Sequence, residues 1–562
     1  MADILTDPRF VRFAEKALVK GLGGLAEKLE NGPGFVAEGQ DMSACFYRGN
    51  ESFLSAPAEN ARWRLGYAIV DLTPADYRTH DYYLGGYLTA ENGFNNKVNA
   101  IVDKMQCRII ALDDGSGRGV SLFAVIDCIG TGNRHIKQIR RHLADLLKYG
   151  GVNETICSVN VFSTHAHSCV DTQGLWTATG KKLVHNFKKN RTGRGTYLPG
   201  ADEEFMRALT RRVAEGMLSA IRDLKPGSMT YAEKDVGEQY FSNRNRPSAT
   251  ALDTRLTRFV FTPDDPAAAP TILASFPAHP DTAGLPTRDG QGTGRELCGE
   301  YIYYMGELIN RAGYNFIFIN GAICAIYMDR GPSNDGVTLN HRYEQSVRYG
   351  REMAKTTLAL TKTVDEIEAD PLLCDAENTA RDMAESKANG APYTLWYEGW
   401  QPVAEMPVPP LINIRLRQIT VPVTNPLIIL VGKLNLVAYD VIALKNGGYA
   451  VTTEVGYLEL GNIFKAVLAP GEFCQDLLLG GASLGAASAW RRADFPYPPL
   501  TEVFGPDVHA FGLANDAVGY IVPDNDYILG DFKNHYHELI SLGEHTGSTV
   551  MRGFAALKEE LK

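Results

Sequence analysis

The apolar positions of this chain recur at two different periods. Over residues 7–30, Phe10, Phe13, Ala14, Leu18, Leu22 and Leu25 return at helical spacing, and Asn31-Gly-Pro-Gly closes the run. That spacing predicts a single amphipathic helix, packed as a support or lid rather than lying on a membrane. Beyond Trp63 the runs shorten and become rich in β-branched residues, at 66–74, 107–112, 120–127, 155–162, 255–262, 271–276 and 315–319. Asp113-Asp-Gly-Ser-Gly between two of these runs is a hairpin signal, and helical patterns fall at 134–149, 202–223 and 298–312. Alternating strands and helices predict an α/β fold with a layered, mixed β-sheet core and flanking helices. Residues 333–388 read as largely helical. Residues 389–410, rich in Pro, Trp and Tyr, read as a connector, and 411–475 return to strands with Asn446-Gly-Gly as a tight turn. The expected organisation is an N-terminal helical extension over 1–62 and one body over 63–562, the latter carrying a mostly helical and linker insertion at about 333–410.

Composition narrows the classes. A chain of 562 residues with 44% apolar and 22% charged residues buries a large core without covalent staples. The net charge of −10 argues against a general nucleic-acid binder, which needs a basic face. The most apolar stretch, 426–441, is interrupted by Lys433 and Asn435, so no transmembrane segment is expected. Nine scattered cysteines without a CxxC pair point to reduced thiols. The opening Met-Ala-Asp-Ile-Leu-Thr-Asp-Pro lacks a secretory pattern. Together these predict a soluble, cytoplasmic protein, although a processed secreted chain would carry the same marks. The oligomeric state stays open, a homo-oligomer included.

Four segments carry candidate chemistry. Phe162-Ser-Thr-His-Ala-His-Ser168 closes an apolar strand, and histidines at i and i+2 of an extended chain share a face. Neutral imidazole is a common zinc ligand; two polar residues at a strand end are the plain alternative. His279 closes a second apolar strand, 272–276, where a lone histidine is more often structural. If both strands end on one side of a sheet, the two sites converge, because ligands gather beyond the carboxyl ends of strands. Glu472 follows a strand and a Pro-Gly turn, and Tyr520 lies between small residues and an apolar pair. Unsupported, these are a solvated turn carboxylate and a core tyrosine.

In this order, the segments resemble the neutral, non-lysosomal ceramidase family. Thr164-His-Ala-His-Ser-Cys-Val resembles the family's Thr-His-Thr-His-Ser-Gly-Pro in both histidines but not in the Gly-Pro, and 66–74 resembles its opening strand. Leu84-Gly-Gly-Tyr, Asn243-Arg-Asn-Arg-Pro-Ser-Ala, Ala469-Pro-Gly-Glu-Phe and Gly512-Leu-Ala-Asn with Gly519-Tyr520 match further motifs. The resemblance, in patches over about 63–550, implies Zn²⁺ held by His165, His279, Glu472 and Tyr520. It also implies His167 facing a reactive water, Arg244 or Arg246 beside the active site, and Tyr536 as a second tyrosine. The implied activity is hydrolysis of an amide in a small-molecule or lipid-like N-acyl substrate.

Two departures qualify what is carried over. Where the family has Gly-Asp-Val-Ser-Pro-Asn, this chain has Asn320-Gly-Ala-Ile-Cys-Ala-Ile-Tyr-Met-Asp329, so Cys324 or Tyr327 takes the serine's place. The stretch 521–562 is also too short for the β-sandwich of ~100 residues that follows the family's catalytic domain. Cys324 raises a rival mechanism with a thiolate nucleophile, which requires a lowered thiol pKa and a partner base. An ester or lactone would suit the same metal site, and a scaffold that kept the fold without catalysis is the alternative of another class.

Overall fold

The computed structural model describes residues 7–38, 45–86, 96–243, 246–282, 295–329, 331, 336–338 and 342–562. Two β-sheets pack face to face and helices cover their outer faces. The larger sheet runs in the order Asn315–Asn320, Thr271–Phe276, Arg255–Pro263, Lys225–Asp235, Trp63–Asp71, Gln106–Asp113, Val120–Ile126, Ile156–Ser163, with Met406–Pro407 beside Lys225–Asp235. The smaller sheet runs Phe35–Ala37, Val441–Ala443, Tyr449–Leu460, Phe464–Leu468, Val508–Phe511, with Ile412–Pro422 also paired to Tyr449–Leu460.

The alternation of side chains along each strand explains the layering. In the hairpin Gln106–Asp113 and Val120–Ile126, Ile110, Leu112, Phe123 and Val125 point between the sheets. There they meet Ile414, Leu416, Leu458, Phe464 and Phe511 of the smaller sheet. The intervening Ile109, Ala111, Leu122 and Ala124 point outward onto Leu143 of helix Asn133–Tyr149 and Leu209, Val213 and Met217 of helix Glu203–Arg222. Both faces are buried, so these strands read as continuous apolar runs rather than as alternation. Helices Glu300–Arg311 and Arg342–Ala359 cover the other half of the larger sheet, and Thr546–Glu560 covers the smaller one. Arg140, on helix Asn133–Tyr149, ties the layers together. It makes two hydrogen bonds to Glu454, at 2.7 and 2.9 Å, and also donates to the carbonyl of Val159.

The helix predicted over 7–30 spans Pro8–Glu27, capped by Asp7. The region 1–62 also supplies strand Phe35–Ala37, which pairs with Val441–Ala443, so it contributes to the smaller sheet as well as carrying a helix. The apolar stretch 426–441 becomes a short helix, Pro426–Lys433, and a strand beginning at Val441. Strand Lys225–Asp235 and helices Thr179–Thr192 and Thr546–Glu560 fall outside the elements predicted from the sequence. Among the described residues, no helix is long and apolar enough to cross a membrane. All nine cysteines are free.

Strands Ile156–Ser163 and Thr271–Phe276 lie toward opposite ends of the larger sheet and run in opposite senses within it. A sheet twists by roughly 20–25° per strand, so the rotation along this sheet approaches half a turn and brings the two carboxyl ends together. Asn320 on the far edge strand donates its side-chain amide to the carbonyl of Thr164, at 2.9 Å, which joins the two edges. Segment 512–515 stitches the smaller sheet to the same point: Gly512 N–H donates to Asn320, Ala514 to Ala469 and Asn515 to Val161.

Candidate metal centre

His165 comes two residues after strand Ile156–Ser163 ends, and it adopts a left-handed backbone with φ of +67°. The extended-chain geometry expected for the HxH pair is therefore replaced by a turn. The turn still brings the rings of His165 and His167 to 4.7 Å, and places His279 4.7 Å from His165 and 5.7 Å from His167. A non-glycine residue in that region is strained, a state concentrated at functional sites.

Each outer histidine is oriented by a carbonyl. His165 Nδ1 donates to Ile129 O at 2.7 Å, from the loop that follows strand Val120–Ile126. His279 Nδ1 donates to Ile326 O at 2.9 Å, which also accepts the His279 backbone N–H. With the proton held on Nδ1, each Nε2 of a neutral ring carries a lone pair. Both Nε2 atoms face one carboxylate oxygen, Glu472 Oε2, at 3.2 Å from His165 and 3.0 Å from His279. Lone pairs meeting at that range repel unless a proton or a cation lies among them. Burial raises the pKa of Glu472, while protons on His165 and His279 Nε2 would outweigh it and hold the carboxyl far below its usual range. Imidazole nitrogens and a carboxylate, with carbonyls behind the imidazoles, form a donor set that a transition-metal ion, zinc included, accepts. The buried cluster His165, His167 and His279 could hold a metal ion.

His167 is kept uncharged by burial and by the two neighbouring histidines. Its ring packs on Gly86, whose φ is +128° and where a Cβ would lie 2.7 Å from the imidazole. The glycine of Leu84-Gly-Gly is thus required by close approach. Glu472 and Tyr520 sit side by side in a short parallel pair, Glu472–Phe473 with Tyr520–Ile521. Gly471 makes that pairing feasible, because a Cβ there would meet Gly519 O at 2.3 Å. His165, His167, His279, Glu472 and Tyr520 are 3, 8, 0, 4 and 6% exposed, so Glu472 and Tyr520 face the protein interior rather than solvent.

The remaining candidates differ in placement. Arg244 lies outside the described residues. Arg246 is fully buried and bound on two sides, by Glu538 at 2.9 Å and Asp526 at 2.8 Å. Tyr536 hydrogen bonds through its hydroxyl to that of Tyr327, whose ring stacks on His279 at 4.7 Å. Cys324 instead meets the Cys474 thiol, and this contact together with burial pushes its pKa well up. That is the reverse of what a thiolate nucleophile needs. Of the two residues competing for the serine's place, Tyr327 contacts a site histidine and Cys324 packs in the core.

Sequence reasoning passed over His537. It is wholly buried and packs 4.8 Å from Tyr520 and 4.1 Å from Tyr536, and neither ring nitrogen has a hydrogen-bond partner among the described residues. The signal was a second HxH, His535-Tyr-His537. The carbonyls of Ile129 and Ile326 act through the backbone and carry no signal of residue type.

No family model matches the chain, and no curated protein matches it. Solved structures do. A neutral ceramidase from Pseudomonas aeruginosa superposes with a TM-score of 0.55 at 14% identity, covering 90% of this chain and 75% of that one. A ceramidase complexed with C2 gives a TM-score of 0.53 at 14% identity, over 89% and 76% of the two chains. At that identity the likeness establishes a shared fold: this chain has the mixed α/β architecture of those ceramidase structures.

Proposed function

We propose that this protein is a zinc-dependent hydrolase that cleaves the amide bond of an N-acyl compound, ceramide-like or smaller. The observation that carries the reading is the convergence of His165 Nε2, His279 Nε2 and Glu472 Oε2, with both Nδ1 protons engaged by carbonyls. His165, His279 and Glu472 would hold the ion, with Tyr520 beside Glu472 as the fourth ligand. Bound zinc supplies Lewis acidity toward the scissile carbonyl and toward an attacking water. His167, its ring beside those of His165 and His279, would accept a proton from an attacking water and pass it to the leaving nitrogen. A hydroxyl of the Tyr327–Tyr536 pair would donate to a developing oxyanion. Arg246 is engaged by its two carboxylates, so its part is to hold the segment bearing Tyr536. The fold shared with ceramidase structures supports an N-acyl lipid as the substrate class.

The test combines metal analysis with turnover. Purified protein is expected to carry zinc stoichiometrically and to lose it in the double variant His165→Ala, His279→Ala. A panel of ceramide analogues, N-acylethanolamines and N-acyl amino acids is expected to include a substrate whose hydrolysis stops with chelator and returns with zinc. Hydrolysis that survives chelator but stops with iodoacetamide would shift the mechanism to a cysteine. A zinc-loaded sample inert across amides, esters and lactones would favour the scaffold.

A further inference from the structure

The two histidine-bearing loops meet at Glu300, a residue outside the motifs discussed above. Glu300 is fully buried and opens helix Glu300–Arg311 with a left-handed φ of +59°, a conformation rare for a residue with a Cβ. Its carboxylate accepts from Ser168 Oγ at 2.8 Å, one residue after His167. The other oxygen accepts from Thr282 N and Oγ1, at 3.3 and 3.2 Å, three residues after His279. Ser346 Oγ, on helix Arg342–Ala359, donates to the same oxygen at 2.6 Å.

The neighbours of Glu300 repeat the pattern. Cys298 N–H donates to Ser168 O at 2.8 Å, and Tyr301 O–H donates to Ala278 O, next to His279, at 3.0 Å. His167 N–H donates to Pro280 O at 3.1 Å, which links the loops directly. Asp103 fixes Cys298 from behind, accepting from its Sγ at 3.0 Å.

We propose that Glu300 is a positioning residue: its carboxylate clamps the loop of His165 and His167 to the loop of His279, and so sets the geometry in which His165 and His279 receive a metal ion with His167 beside them. This rests on the metal reading above. Groups that orient metal ligands from behind typically change affinity by about 10–100-fold when removed. In each of these four contacts the carboxylate is the acceptor. Glutamine keeps the shape but removes the charge, so both arms lose charge assistance and Ser168 Oγ must turn to accept from the new N–H₂.

Zinc affinity, measured by competition with a chromophoric chelator, tests this without reference to turnover. Ser168→Ala is expected to weaken zinc binding about tenfold, and Glu300→Gln at least as much. The double variant should be no weaker than Glu300→Gln alone, since both changes break one linkage. Met305→Ala, in the same helix but buried against the core, is the control: it should lower the unfolding midpoint and keep wild-type zinc affinity. The proposal is overturned if Ser168→Ala binds zinc like wild type, or if Met305→Ala loses as much affinity for a matched loss of stability. Should Glu300→Gln fail to fold, Ser168→Ala against Met305→Ala still decides. Wild-type protein that binds no zinc would remove the metal reading itself, and this inference with it.

Discussion

Replacing Arg246 with methionine separates an arginine that holds the fold from one that acts on substrate. Arg246 has 1% of its surface exposed, and its two ion pairs, to Asp526 at 2.8 Å and Glu538 at 2.9 Å, are equally buried. Methionine keeps the volume and removes the charge, leaving two carboxylates in the interior. Asp526 retains His535, whose Nε2 lies 3.7 Å away, whereas Glu538 is left to protonate or to draw in water. Breaking a buried pair from one side costs about 3–5 kcal/mol. At an unfolding entropy of ~2.1 cal/mol/K per residue, that loss over the whole chain lowers the melting temperature by about 3–4 °C. Urea unfolding followed by circular dichroism, with zinc saturating, reads the loss directly. Adding Glu538→Gln to Arg246→Met should return part of it, because the orphaned charge is gone. If Arg246→Met unfolded within ~0.5 kcal/mol of wild type while turnover disappeared, the structural account of Arg246 would be wrong and a catalytic one required.

Gly86→Ala is expected to reduce turnover about 100-fold, the scale of a ~1 Å misplacement in an active site, because the added Cβ meets the His167 ring; steady-state kinetics with parallel zinc analysis checks it. His535, held between Asp531 and Asp526, has its pKa raised to about 9. The folded pKa lies above the unfolded value of ~6.5, so about 3 kcal/mol of stability is fully present below pH ~6.5 and is lost as pH climbs through 9. At the acid end, Asp531, lowered to about 2, gives up its share as pH falls through that value. Comparing unfolding free energies of wild type and His535→Gln from pH 5 to 10 should show the difference fading upward, and a constant difference would contradict the linkage. Phe464→Ala, between the sheets against Phe259 and Phe511, should cost about 3–5 kcal/mol with zinc content unchanged.

Local chemistry alone was enough to read much of this protein. Strands such as 107–112 and 271–276 are legible because burial on both faces demands continuous apolar runs, and helices such as Asn133–Tyr149 because one buried face imposes a 3.6-residue period. Short-range signals also mark the residues at strand ends, the Leu84-Gly-Gly turn and the Pro-Gly before Glu472, since side-chain type and glycine demand are local properties. What brings the site together is not local. His165 and His279 follow strands that run in opposite senses in the sheet, and only the accumulated twist of the intervening strands turns both ends to one place. The left-handed turn at His165, the carbonyls of Ile129 and Ile326 behind the imidazoles, the burial of Arg246 against its carboxylates and the clamp at Glu300 all join residues far apart in the chain. Such contacts form because a buried donor or acceptor must find a partner wherever packing supplies one. That choice belongs to the tertiary structure.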